Sequence, residues 1–305
     1  MEVIPLSGLD GLKDTVATIG TFDGIHLGHR AILEQVTGDA RRLPGRSLLL
    51  TFMDHPRILL KREPVFLINS PEIRREILAG LGLDYTVIID QESVFDFSAE
   101  EFVERILVGR LGVREVVIGF NFRFGRKRTG DAGLLAEWGG RCGFRVKVVK
   151  PVSLDGAVVS SSRVRDRLAA GRVEEADRLL GRPYQVRGRV VPGRGRGREI
   201  GYPTANLEPD VPILLGTGIY AVEVQALDAA AGLSGRVRAL ASYGHNPTFG
   251  RLEKPVLEIH IPGFSGELAG RRLAADFRRR LRSEAAFAGP EELAAAIRRD
   301  LESLN

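Results

Sequence analysis

The sequence predicts two domains of different class: an α/β domain with a parallel sheet over residues 1–183, and an antiparallel barrel or sandwich closed by a C-terminal helix over residues 184–305. Three observations carry this. Short runs rich in Val, Ile and Leu alternate with helical patterns through the first half, as in strand–helix–strand units. The second half strings strand runs together without helices between them. The texture changes at Gly181-Arg182-Pro183, a Gly/Pro joint that ends a helical pattern.

The chain is long enough for each domain to bury its own core, with 305 residues and 44% apolar content. A mean hydropathy of −0.04 fits an ordinary globular protein and argues against disorder. Cys142 stands alone, which excludes a disulfide framework and a cysteine zinc site. The N-terminus has no secretory pattern and no apolar run nears the ~20 residues that span a bilayer, so a cytoplasmic protein without a membrane partner is expected. The net charge of +5 is carried mainly by arginine, whose planar fork suits phosphate. Only 194–198 and 278–282 are locally dense in it, and no nucleic-acid-binding motif accompanies them, so no nucleic-acid partner is expected.

In the first domain the strand runs are 16–20, 47–52, 85–89, 115–119 and 144–149. One helix follows His29, with Ile32, Val36 and Ala40 at helical spacing; a second covers about 71–81. A third opens at Ser98 with Glu101 three residues on, a capping box ahead of Phe102, Ile106 and Leu107; a fourth passes through Leu134, Leu135 and Trp138. Helices at about 162–170 and 173–180 lead into the joint. The second domain reads as strands at 184–191, 218–225, 236–243, 256–261 and 273–280, a surface loop at 229–235, and an amphipathic helix opened by Pro290.

Two glycine-rich segments carry the chemistry. In GTFDGIHLGH, Gly20 ends a strand, Gly24 permits a tight turn, and His26 and His29 stand i, i+3 at a helix start, where backbone N–H groups and the helix dipole favour an anion. Imidazoles there can stabilise charge as pyrophosphate leaves a triphosphate. A helix start with two surface histidines has the same spacing. A zinc pair fits poorly, since helical zinc histidines stand i, i+4 around a glutamate. SSSRVR at Ser160–Arg165 is a second helix start, with Ser161 near its cap and Arg165 one turn in; GFNFRFG places Asn121 and Arg123 among aromatic rings that could equally be core.

GRGRGREIGYPTAN carries Gly193, Gly195 and Gly197 but lacks the context of a dinucleotide fingerprint or a Walker loop, and glycines between strands also mark plain hairpins. In its PTAN tail, Thr204 and Asn206 alternate along an extended segment, so two neutral oxygens face one way, enough for an incomplete Mg²⁺ shell beside phosphate. Glu258 is an acid within the apolar run VLEIHI, a candidate acceptor for a hydroxyl proton unless it lies on a solvent face.

Together these segments resemble the prokaryotic bifunctional FAD synthetases, of the riboflavin kinase/FMN adenylyltransferase family. HxGH, NFxFG, the serine-rich helix start, SAEEFV and LGRPY lie within residues 1–184; PTAN, GIYAVEV, NPTFG, ExHI and LRSExxF follow in order to residue 305. The resemblance implies a Rossmann-like nucleotidylyltransferase domain followed by an antiparallel β-barrel riboflavin kinase domain. It assigns ATP phosphates to Gly20, Asp23, Gly24, His26, His29, Ser161 and Arg165, with His26 and His29 catalytic, and gives Asn121 both the flavin nucleotide and a catalytic role at the reacting phosphate. It makes Thr204 and Asn206 Mg²⁺–ATP ligands, Glu258 the base, Gly193–Gly197 a flap over the phosphates, and Arg282 a flavin-end residue. The implied substrates are riboflavin, FMN and ATP, with Mg²⁺ as the metal and FAD as the final product.

Departures from the family pattern are Ser162 for threonine, Phe120 after Gly119, the irregular turn Met53-Asp54-His55-Pro56, Ala269 for tyrosine, and Ala285-Ala286. A chain with one active module, and a flavin- or nucleotide-binding regulator without turnover, are the competing expectations. The sequence leaves a homo-oligomer open.

Overall fold

The structure, a computed structural model, describes residues 1–52, 66–193, 195–228, 232–245 and 253–304. The 53–56 turn, NPTFG, Arg194 and the start of the 229–235 loop lie outside the described residues. The chain forms two compact units: 1–65 with 71–160, and 66–70 with 161–305.

The first unit is built on a six-stranded sheet, parallel throughout. Its strands are β1 (Glu2–Pro5), β2 (Thr15–Ile19), β3 (Arg46–Phe52), β4 (Tyr85–Ile89), β5 (Val113–Gly119) and β6 (Arg145–Val149), in the order β1-β4-β3-β2-β5-β6. Side-chain alternation splits the apolar strands between two cores. Ala17, Ile19, Leu48, Leu50, Val116 and Ile118 face one way; Val16, Leu49 and Val117 face the other. The second face is covered by Leu33, Val36 and Ala40 of α1 (Leu27–Arg42) and Leu78 of α2 (Pro71–Gly80).

Over the first face lie α3 and α4 (Ala132–Cys142), through Phe102, Val103, Ile106 and Leu135. α3 opens as Ala99–Glu101 and continues as a wider, π-helical turn, Phe102–Val108. Its capping box is present: Glu101 N donates to Ser98 Oγ (3.1 Å) and Ser98 N donates to Glu101 Oε2 (2.8 Å). A small hairpin, β7 (Ser153–Leu154) with β8 (Ala157–Val158), completes this unit.

The second unit opens with α5 (Ser161–Ala169) and α6 (Val173–Leu180) and then forms a closed antiparallel barrel. Its strands are β9 (Tyr184–Val191), β10 (Ala205–Pro209), β11 (Gly218–Ala226), β12 (Arg236–Gly244), β13 (Val256–His260) and β14 (Arg272–Arg282), in the order β10-β13-β12-β11-β14-β9. Closure leaves no open edge. The interior is packed by Val186, Tyr220, Val222, Val224, Leu273 and Phe277. The short turn α7 (Arg196–Glu199) follows β9, and α8 (Pro290–Glu302) ends the chain.

Gly181 ends α6 in the left-handed conformation at φ +70°, which glycine adopts without steric cost, and turns the chain into β9. There Asp177 accepts a hydrogen bond from Tyr184 N (2.8 Å), while burial pushes its carboxyl up from 3.8 to about 7. A raised acid stabilises the fold below its unfolded value and loses that contribution as pH rises to its folded value. This term should therefore fade between about pH 4 and 7. Asp177→Asn keeps an acceptor without the charge, so its Tm measured from pH 5 to 8 should be flatter than that of the wild type.

Candidate active sites

In an open α/β sheet, ligands collect beyond the carboxyl ends of the strands where the strand order reverses. Here the chain works outward from β2 to β3 and β4, then restarts on the other side with β5, so the reversal lies between β2 and β5. Gly20 follows β2 directly, with its N–H on Leu50 O (3.0 Å); Gly119 ends β5. α1 packs over the same edge, since a Cβ on Gly119 would stand 3.3 Å from Ile32 Cδ1.

Between Gly20 and α1 the backbone is tightly wound. Gly24 has φ +82°, and two residues with side chains also turn left-handed, Phe22 (φ +49°) and Ile25 (φ +39°). Such residues stay there only when their surroundings hold them. Phe22 and Ile25 are buried in the α1 face of the core, and Asp23 between them is buried too.

His26 is the N-cap of α1: its Nδ1 accepts from His29 N at 3.2 Å, so that nitrogen is bare and Nε2 carries the proton. The two rings stack at 3.7 Å, and Phe22 lies 4.7 Å from His29. His29 Nδ1 is buried without a hydrogen-bond partner. Burial, and next the neighbouring His26, hold the His29 imidazole well below the usual histidine range. At neutral pH it is uncharged.

Asn121, two residues beyond β5, is exposed, and its Oδ1 lies 3.6 Å from where a Gly119 Cβ would be. Phe120 beside it is 50% exposed, whereas Phe122 and Phe124 stack at 5.6 Å against the core. The aromatic segment thus divides between packing and surface. Ser161 and Arg165 belong to the second compact unit, on the first turns of α5, where Arg165 Nε donates to Phe66 O (3.2 Å).

In the barrel unit the predicted residues gather at one cavity of about 1190 Å³. Asn206 on β10 is paired in register with Glu258 on β13, and Glu258 with Ser242 on β12. Three polar side chains therefore form a row across adjacent strands. Glu258 is half-buried between the buried Leu257 and Ile259, which places it on the opposite side of β13 from those two. The cavity is also lined by Thr204, Gly193, Gly195, Gly197, Arg282 and the apolar Ile213, Phe287, Leu293 and Ile297. One part is thus polar and glycine-rich, the other a greasy slot under α8.

The glycines are needed by what stands beside them. A Cβ on Gly193 would collide with the Asn206 side-chain amide, and one on Gly197 with Tyr202 O, 3.2 Å from Thr204 Oγ1. Arg282 is gripped by Asp300 of α8 through Nε (3.0 and 3.1 Å) and Nη2 (2.8 Å), and lies over Phe287 (5.5 Å). Sequence reasoning missed Ser242, Asp300, His260 and the slot. Leu293 and Ile297 carry i, i+4 spacing, but that spacing reads as ordinary core, and Ser242 becomes visible only through strand register.

Comparison with known proteins matches a family model to each of two regions of the chain. The FAD synthetase family model matches residues 10–163, and the riboflavin kinase model matches residues 180–305. Bifunctional riboflavin kinase/FMN adenylyltransferase of Pseudomonas fluorescens is 38% identical over 95% of this chain and 91% of its own. The chain belongs to the bifunctional riboflavin kinase/FMN adenylyltransferase family. The Escherichia coli K12 member is 35% identical over 93% of this chain and 90% of its own. A crystal structure of a macrolide-efflux protein from Streptococcus pneumoniae shares the fold, with TM-score 0.86 and 30% identity over 99% of this chain and 98% of its own. Among the described residues, no helix here is long and apolar enough to cross a membrane.

The glycine contacts of this family member yield a direct test. Gly193→Ala forces the Asn206 amide aside, an overpacking cost of about 1–3 kcal/mol, or roughly 10- to 100-fold. That loss should appear in riboflavin phosphorylation kcat/KM, with FMN adenylylation in the same preparation unchanged.

Proposed function

We propose that the chain phosphorylates riboflavin to FMN with ATP in its barrel, and then adenylylates FMN to FAD with release of pyrophosphate in its parallel-sheet unit. The observation that carries this reading is the coincidence of both family models with a separately built polar site in each unit. The functional modules divide at 183/184, with α5 and α6 counted to the adenylylating one although they pack with the barrel.

In the barrel, Glu258 is the general base for the primary hydroxyl of riboflavin. Its carboxylate lines the cavity in register with Asn206 and Ser242, where a substrate hydroxyl can reach it. Thr204 and Asn206 supply neutral oxygens suited to Mg²⁺, a hard cation that keeps several waters and shares phosphate oxygens. Among the described residues no cluster of three or more His, Cys, Asp or Glu is gathered, so an all-protein metal cage is not the arrangement proposed. The bound metal would neutralise phosphate charge as the phosphoryl group transfers. Gly193, Gly195 and Gly197 give backbone N–H groups access to the phosphates, and the slot with Arg282 takes the flavin ring.

In the parallel-sheet unit, His26 and His29 receive the triphosphate of a second ATP at the start of α1, with Gly20, Asp23 and Gly24 shaping the turn. The FMN phosphate attacks the α-phosphorus, and charge that collects on departing pyrophosphate is met by imidazole N–H groups and the helix dipole. Asn121 is assigned to FMN, and Ser161 and Arg165 to ATP phosphates. Small molecules in the cytoplasm are the proposed partners, without nucleic acid.

Glu258→Gln should lower FMN formation about 10²–10⁴-fold, the range for losing a general base, and leave adenylylation of supplied FMN intact. His29→Ala should do the reverse. Chromatography of the flavins from riboflavin-fed and FMN-fed reactions reads both at once. Loss of both activities from either folded variant would sink the assignment of independent sites.

A further inference from the structure

The barrel's hydrogen-bond ladder stops one residue short of Thr204. β10 begins at Ala205, paired with Ile259, and continues through Asn206 and Leu207 opposite Glu258 and Leu257. Asn206 is therefore held by sheet pairing on both sides, against β9 and β13. Thr204 lies beyond that support, in the segment Tyr202-Pro203-Thr204 that returns from the glycine loop.

His260, the last residue of β13, stands where the ladder ends. Its Nδ1 is 2.8 Å from Pro203 O, and its ring meets the edge of Tyr202 at 5.5 Å. A carbonyl oxygen can only accept, so Nδ1 carries the proton. Pro203 C=O and Thr204 N belong to one planar peptide unit, so a bond that fixes the first also fixes the direction in which Thr204 leaves. Tyr202 N in turn donates to Gly197 O at 2.7 Å, which ties the same segment to the glycine loop. His260, Tyr202, Thr204 and Glu258 all line the one cavity.

We infer that His260 is a positioning residue for the kinase reaction, its Nδ1–H replacing the missing ladder bond and aiming the Thr204 arm at the nucleotide. The inference rests on the reading of Thr204 as a Mg²⁺–nucleotide ligand.

Calorimetric binding of ADP with Mg²⁺ to the full chain tests it without turnover. His260→Ala should weaken binding about tenfold, the size of one hydrogen bond, and raise the KM for ATP in riboflavin phosphorylation. The KM for riboflavin and FMN adenylylation should hold. His260→Asn, whose amide N–H can reach the place of Nδ1–H, should restore binding to within about threefold.

Unchanged nucleotide binding in His260→Ala would overturn the inference, as would an asparagine variant as weak as alanine. If the alanine variant does not fold, the ¹⁵N spectrum of the wild-type imidazole decides: an Nδ1–H tautomer supports the assignment and an Nε2–H tautomer rejects it. Thr204→Val separates the two readings. No effect there removes the ligand role of Thr204 itself, whereas a weakened Thr204→Val beside an unaffected His260→Ala removes only the role of His260.

Discussion

Asn206 can hold its amide beside the wall of the barrel cavity because Gly193 has no side chain, and Thr204 reaches the same cavity past an equally bare Gly197. The first unit uses the same steric allowance. A Cβ on Gly28 would stand 3.2 Å from the His26 ring, so a side chain there would press on the stacked histidine pair at the start of α1. In both places a polar group comes close to backbone that, on the proposed reading, also has to meet phosphate. Glycine is the residue that permits both, at a cost in unfolded-chain entropy that the packed sheet and barrel offset.

From this allowance the two sites diverge in how they treat charge. The parallel sheet supplies a helix start whose N-cap is the ring nitrogen of His26, while burial keeps His29 neutral. Such a helix start offers backbone N–H donors to an anion without relying on a charged His29. The barrel places a carboxylate, an amide and a hydroxyl in one cross-strand row, Glu258 flanked by Asn206 and Ser242. Such a row suits a cation brought in with the nucleotide. On the proposed reading the first arrangement would answer anionic charge with protein donors, and the second would leave that task to a metal.

Much of the frame was legible in the chain. The inner strands β2 and β3 stood out because both of their faces are buried and apolar residues dominate them; the capping box at Ser98 and Glu101 and the Pro290 helix start were read from residue type alone. β1 was not seen, because Glu-Val-Ile-Pro is four residues long and mostly exposed at the sheet edge, and so lacks the signal of burial. The histidine pair was visible as spacing, but the tautomer of His26 and the neutrality of His29 follow from hydrogen bonding and packing. Ser242 and His260 were out of reach for another reason: each owes its place to strand register, and register is a property of pairs of segments that no single segment displays.

The cavity under α8 gives the proposed order of reactions a physical basis. Its apolar side, built from Ile213, Phe287, Leu293 and Ile297, offers a flavin ring burial without asking for a charge on the ligand. Riboflavin is neutral and fits that demand. FMN carries a phosphate, and the site that accepts it as a nucleophile must tolerate two anionic groups at once, its own phosphate and the triphosphate it attacks. A helix N-terminus beside an uncharged His29 meets that need better than a wall that carries a carboxylate.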